Sequence, residues 1–241
     1  MMAAVRFYAD SVKGRRARNE DDALAERVGD RYIFAVADGL GGHAAGDVAS
    51  RMAISAVREE MACQYDDPCD LISTAFAEAN RRIWRYNREH RSNAGTTLVV
   101  TVVQENGEIW IGNIGDSRAY LFSNGRIWHT CDHTRVQRLI DENEISPEEA
   151  FGHPMKHLLE RALGLGGEVK PDISRHRCGS SVLLLSTDGL HDTLRDERLS
   201  QIATSHPPEQ AVALLIKEAL AEGSSDNITA IVAVISRAQG L

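Results

Sequence analysis

The sequence predicts an α+β protein built on antiparallel sheets. Three observations point there: short apolar strands joined by hairpin turns, two consecutive amphipathic helices instead of a helix after every strand, and a separate helix late in the chain. Val5–Ser11 reads as the first strand. Ala23–Val28 and Arg31–Ala37 read as a pair joined across Gly29-Asp30. From Ala44 to about Met61 the pattern turns helical, with Val48, Met52, Ile54, Ala56 and Val57 available for a buried face. From about Asp70 to His90, Leu71, Ile72, Ala75, Phe76, Ala79 and Ile83 recur at helical spacing with charge opposite them. Being consecutive, these two helices would cover one sheet face together.

Strands return at Thr96–Gln104, Glu108–Asn113, Arg118–Ser123 and Arg126–His129, with Asn106-Gly107 and Asn124-Gly125 as hairpin turns. From Thr134 to about Leu165 the chain is polar and helical in short pieces, with Ser146-Pro147-Glu148-Glu149 as a helix start. Its weak apolar periodicity suits a surface subdomain or flap. Strands at Ile173–Arg177 and Val182–Ser186 follow, then a helix from about Pro208 to Ala221 and a last strand, Ile228–Ile235. The late helix would cover a second face. With no repeat, low-complexity stretch or Gly/Ser/Pro-rich linker, residues 1–241 read as one domain.

Composition narrows the function. At 43% hydrophobic and 26% charged, 241 residues can bury a substantial core. The net charge of −8 argues against a general binder of nucleic acid or anionic membranes. No apolar run is long enough to span a bilayer, and Asp10 interrupts the opening MMAAVRFYADS, which lacks a signal-peptide pattern. A cytoplasmic, monomeric protein is expected. Cys63, Cys69, Cys131 and Cys178 form no C-x-x-C pair and read as reduced thiols. None opens a C-x5-R loop, so a covalent thiol mechanism has no candidate.

Four aspartates stand at the ends of apolar runs far apart in sequence: Asp38 after YIFAVA, Asp116 after IWIGNIG, Asp188 after VLLLST and Asp226 before NITAIVAVI. A carboxylate there packs poorly but can converge with others on a hard cation. Without a cation such a cluster would repel itself and raise its own pKa values. Asp38 and Asp188 are each followed by glycine, which would let the backbone turn tightly and approach an ion. Oxygen ligands without His or Cys spacing favour Mg²⁺ or Mn²⁺ over Zn²⁺, and the EF-hand spacing is absent. Gly39-Leu40-Gly41-Gly42-His43 is neither a P-loop nor a dinucleotide fingerprint. Gly115-Asp116-Ser117-Arg118-Ala119 lacks the flanking glycine of a nucleophile elbow. In Gly14–Asp22, three arginines sit among three acids, as an arginine gripping phosphate beside metal-holding carboxylates would.

Together these segments resemble the metal-dependent protein phosphatases, the protein phosphatase 2C family, in its short bacterial form. The resemblance runs through R-x-x-N-E-D (Arg16 to Asp21), VADGLGGHAAG (Val36 to Gly46), AGTT (Ala94 to Thr97) and IGDSRAYL (Ile114 to Leu121). It continues through SPEEA with its following HP (Ser146 to Pro154), LLSTDGLHD (Leu184 to Asp192) and SDNITAIV (Ser225 to Val232). It implies a four-layer α-β-β-α sandwich of two antiparallel sheets flanked by helices, with a two-metal site at one end and a flap over about 134–165.

The activity implied is that of a serine/threonine protein phosphatase. It would use direct attack by a hydroxide held between two Mn²⁺ or Mg²⁺ ions, on phosphorylated proteins, opposing a bacterial Ser/Thr kinase. By position, Asp38 would bridge both metals and the Gly39 carbonyl would bind one. Asp188 and Asp226 would complete the shell, Glu20 would act through a water, Asp116 would hold a third, weaker metal, and Arg16 would bind the phosphate. Asp38 and Arg16 are therefore the expected catalytic residues. One departure stands out: animal members place a histidine directly after the Asp-Gly pair, where this chain has Leu40, with His43 three residues on. His133, His153 and His157 lie in or beside the flap, where Lys156 and Arg161 are candidates for selecting the substrate.

Overall fold

A computed structural model of the chain describes residues 3–41, 45–63, 67–177 and 179–237. Three strands come first: β1 (Ala3–Val12), β2 (Asp21–Val28) and β3 (Arg31–Leu40). Two long helices follow, α1 (Gly46–Met61) and α2 (Pro68–His90). The strands then resume as β4 (Gly95–Thr96), β5 (Leu98–Gln104), β6 (Glu108–Ile114), β7 (Arg118–Ser123) and β8 (Arg126–His129). The flap carries α3 (Arg135–Asp141) and α4 (Pro147–Ala150). After it come β9 (Asp172–Arg177), β10 (Ser181–Ser186), α5 (Asp188–His191), α6 (Asp196–Ser205), α7 (Pro208–Ala221) and β11 (Ile228–Arg237).

All strand pairings are antiparallel. One sheet runs β1-β11-β10-β7-β8, and the other runs β2-β3-β5-β6-β9 with β4 beside β3. Side-chain alternation sets the layers. In β3, Ile33, Ala35 and Ala37 join the core under α1 and α2 with Ala53, Val57, Ile72 and Phe76. Tyr32, Phe34 and Val36 face the other way and meet Leu183, Leu185, Ile231 and Ala233 of the second sheet. That sheet turns Leu184, Ala230 and Val232 outward onto Leu199, Ile202, Val212 and Leu215 of α6 and α7. The result is the expected α-β-β-α sandwich.

Local chemistry explains the boundaries. Asp67 caps α2, accepting from the Cys69 amide at 2.9 Å, and Pro68 opens the helix. At α4 the Ser146 hydroxyl and the Glu149 carboxylate close a reciprocal capping box. The loop between β5 and β6 holds three residues, 105–107, rather than the two of the expected Asn-Gly turn. Two helices escaped the sequence reading. α5 is a single turn, and α6 starts after Arg195 with no side-chain cap, so neither announces its start.

Candidate metal and phosphate site

The alternation that builds the interior also builds the site. Asp38 continues the Tyr32-Phe34-Val36 series of β3, so it stands on the face toward the second sheet, where the apolar residues give out. β2 starts two residues earlier than expected, and this sets Asp21 directly opposite Asp38. Thr229 of β11 and Thr187 beyond β10 donate to Asp21 Oδ2 at 2.6 and 2.8 Å. The backbone of Asp38 is held on both sides. Its amide donates to Thr97 Oγ1 at 2.9 Å, and its carbonyl accepts from the Thr97 amide at 2.9 Å and from Thr96 Oγ1 at 2.8 Å. The Thr97 and Ser117 hydroxyls meet at 2.7 Å, joining the AGTT segment to the turn that carries Asp116.

Asp188 is the first residue of α5, directly beyond β10, and Asp226 lies just before β11. Asn227 stitches the Asp226 loop to the arginine-rich loop near the N-terminus. Its side chain accepts from the Glu20 amide at 2.8 Å and donates to the carbonyls of Lys13 and Arg18 at 2.9 and 2.8 Å. This brings Glu20 and Arg16 to the same end of the sandwich. Arg16 Nη2 donates to Asp226 Oδ2 at 2.6 Å with the arginine side chain 57% exposed, so the guanidinium is held at the rim yet open to a ligand. Gly39 packs its main chain against Gly46, where a Cβ would lie 2.3 Å from the Gly46 carbonyl oxygen. The glycine serves close approach of two backbones, not the tight turn expected from sequence.

The electrostatics are those of a site waiting for positive charge. Burial first, then the charges of Asp21, Asp188, Asp116 and Asp226, pushes Asp38 well above the usual carboxylate range. Asp116 is raised likewise by burial, then by Asp188, Asp132 and Asp192. Burial lifts Asp21 to about 7 despite its threonine donors. Glu20 is raised by burial and by Asp47. Among the described residues, the buried Oδ1 atoms of Asp21 and Asp188 have no hydrogen-bond partner. Clustered, underpaired carboxylate oxygens with no thiolate suit a hard divalent cation, so the donor set fits Mn²⁺ or Mg²⁺.

Sequence reasoning overlooked several neighbours. Asp21, Asp192 and Asn227 stand inside the motifs that carry the resemblance, but the sequence gives them no role of their own. Strand register marks Asp21, because it faces Asp38 once β2 and β3 are paired. Asp192 lies one helical turn past Asp188. With His157 of the flap, Asp188 and Asp192 form a group whose ligand atoms lie within 4.8 Å of one another. His43 lies outside the described residues. His153 Nδ1 accepts from the Met155 amide at 3.2 Å, inside the flap. A cavity of about 460 Å³ opens between the flap and α5–α6, reaching from Asp116, Asp188 and Asp192 to Phe151, Lys156 and Arg195. Lys156 pairs with Asp192 at 3.1 Å, whereas Arg161 is engaged by Asp172 and the Lys170 carbonyl and does not line this cavity.

The sequence profile of the family described as Protein phosphatase 2C matches residues 11–222. The chain belongs to the protein phosphatase 2C family. It is 38% identical over 239 residues to the serine/threonine protein phosphatase PstP of Mycobacterium tuberculosis, a match covering 95% of this chain but only 45% of that protein. It therefore spans about half the length of that relative. The serine/threonine phosphatase stp of Listeria monocytogenes is 35% identical over 233 residues, covering 92% of each chain. The crystal structure of the PstP catalytic domain in complex with two manganese ions superposes with a TM-score of 0.88 at 33% identity, covering 98% of this chain and 100% of that one. In protein phosphatase 2C terms, the shared ground is the whole sandwich.

Proposed function

We propose that the chain is a metal-dependent serine/threonine protein phosphatase that cleaves phosphoserine and phosphothreonine and opposes a Ser/Thr protein kinase. The observation that carries this reading is the convergence of Asp21, Asp38, Asp116, Asp188 and Asp226, from separate elements, at one end of a protein phosphatase 2C sandwich. Asp38, the Gly39 carbonyl, Asp188 and Asp226 would hold two Mn²⁺ or Mg²⁺ ions, with Glu20 acting through water and Asp116 holding a weaker third. Bound there, the cations supply a nucleophilic water at neutral pH and neutralise charge on the phosphoryl group.

The chain's own residues do the rest. Thr96 and Thr97 fix the backbone of Asp38, and Asn227 fixes the loop of Glu20. Arg16 presents its guanidinium for two parallel bonds to phosphoryl oxygens. Arg16→Ala should raise KM for p-nitrophenyl phosphate about tenfold, the loss of a charge-assisted hydrogen bond, with a smaller fall in kcat. Steady-state kinetics in Mn²⁺ would read this, and an unchanged KM would remove Arg16 from the role.

The substrate polypeptide would lie in the cavity beside the flap. Phe151, 39% exposed, has the Arg195 guanidinium 4.7 Å and the Lys156 ammonium 5.9 Å from its ring centre. This offers a rigid aromatic contact with positive charge beside it. Phe151→Ala should lower kcat/KM about tenfold on a phosphoprotein while leaving p-nitrophenyl phosphate within about twofold. Equal losses on both substrates would count against the cavity as a polypeptide site.

A single catalytic domain with a flap over about 134–165 is proposed because one interior core joins both sheets. A cytoplasmic, monomeric enzyme is proposed on the acidic composition; no described helix is long and apolar enough to cross a membrane. The test of the activity itself is phosphate release from phosphoserine, phosphothreonine and phosphotyrosine peptides in Mn²⁺. Turnover confined to phosphotyrosine would overturn the substrate assignment.

A further inference from the structure

His133 sits at the root of the flap, 9% exposed, between the turn that carries Asp116 and the base of β9. Its backbone amide donates to the Gly115 carbonyl at 3.0 Å, and its ring returns the contact: the Gly115 amide donates to His133 Nδ1 at 3.0 Å. A backbone amide only donates, so Nδ1 must carry a lone pair. A ring with a lone pair on Nδ1 is neutral, which leaves the proton on Nε2, and burial shifts the ring's pKa in the same sense, downward. That proton faces Asp172 Oδ2 at 3.2 Å. Arg161, 2.8 Å from Nε2, is itself a donor and is satisfied by Asp172 Oδ1 at 2.8 Å and the Lys170 carbonyl. The Glu160 amide donates to the His133 carbonyl at 2.8 Å, which fixes the same residue to the far end of the flap.

We propose that His133 is a positioning residue for Asp116: its Nδ1 holds the Gly115 amide, and Asp172 fixes the tautomer and orientation that make this possible. This rests on reading Asp116 as a ligand of the weaker metal. A ring locked in this way, one residue from a ligand, acts as the outer hydrogen-bond partners of metal sites do, fixing a ligand it never touches. It also joins the flap root to the acidic end through one side chain.

The two ring nitrogens can be tested separately. In His133→Asn the amide oxygen replaces the Nδ1 acceptor and the Nε2 donor is lost. In His133→Gln the donor is kept and the acceptor is lost. Asp172→Ala removes the orienting carboxylate at a side chain 60% exposed, where the fold should survive. Three measurements apply to each variant: Gly115 amide hydrogen exchange by NMR, Mn²⁺ titration by calorimetry, and the thermal midpoint.

The glutamine variant should speed Gly115 exchange and weaken the weaker Mn²⁺ step about tenfold or more, while the asparagine variant stays within about threefold of the parent on both. Asp172→Ala should weaken that step several-fold. Equal losses in the asparagine and glutamine variants, or an unchanged weaker step in both the glutamine and Asp172→Ala proteins, would overturn the proposal. If the glutamine protein does not fold, an asparagine variant that weakens the weaker step about tenfold, or an Asp172→Ala protein that leaves it unchanged, overturns the proposal. Asp116→Ala separates the two failures. If it abolishes the weaker step while the histidine variants do not disturb it, positioning fails and the ligand reading stands. If Asp116→Ala leaves the isotherm unchanged, the ligand reading fails and the proposal with it.

Discussion

Asp38→Asn should lower kcat/KM by about three orders of magnitude or more and yet raise the thermal midpoint in chelator by about 2–4 °C. Both effects have one cause. Asp38 is surrounded by Asp21, Asp188, Asp116 and Asp226, and burial adds to their repulsion. Without a cation each ionised carboxylate destabilises the fold, and an amide of the same shape relieves part of that strain. The sign can be checked with pH. A carboxyl whose pKa is raised in the fold costs nothing below its unfolded value, near 3.9. The penalty then grows as pH rises toward the folded value. The advantage of the asparagine variant should therefore vanish near pH 4 and grow steadily as pH rises above it. In saturating Mn²⁺ the order should reverse, because the native protein gains more from binding. A variant that melts below the parent in chelator at pH 8 would show that the cluster is held by something other than balanced repulsion.

The second large effect is expected at Gly189. A Cβ there would lie 2.0 Å from the Asn227 carbonyl oxygen and 3.3 Å from Asp226 Cβ. The nearer obstacle is backbone, which cannot swing aside like a side-chain tip. Gly189→Ala must push α5 away from the loop before β11, and these carry Asp188 and Asp226 respectively. A displacement of about 1 Å between catalytic groups costs on the order of a hundredfold in rate, and overpacking of this kind costs about 1–3 kcal/mol of stability. Kinetics on p-nitrophenyl phosphate and a melting curve would read both. Retention of more than a third of the activity would mean that the contact yields easily and that the glycine serves another purpose. The same reasoning applies to Gly39 against Gly46, so both Asp-Gly pairs owe their glycine to close packing.

These two positions show what was legible in the sequence. The four aspartates were visible because strand ends can be read from apolar runs, and the strands themselves from alternation and hairpin turns. Asp21 was not, since its importance comes from register with Asp38, and register is a property of two paired strands. Asp192 depends on a one-turn helix after Asp188, and α6 lacks a cap residue to mark its start. The flap charges were half legible. Lys156 lines the cavity, but Arg161 is turned toward Asp172, a choice made by tertiary contacts and invisible in a charge pattern. The role of Asn227 was hidden for the same reason, because its partners lie about two hundred residues away in the chain.

The most direct test is release of inorganic phosphate from a phosphothreonine peptide by protein stripped with chelator, followed as Mn²⁺ is titrated back. The stripped protein should be folded and inactive, and Mn²⁺ should restore turnover. Full turnover in excess chelator, or none at any Mn²⁺ concentration from folded protein, would contradict a metal-dependent phosphatase built on these carboxylates.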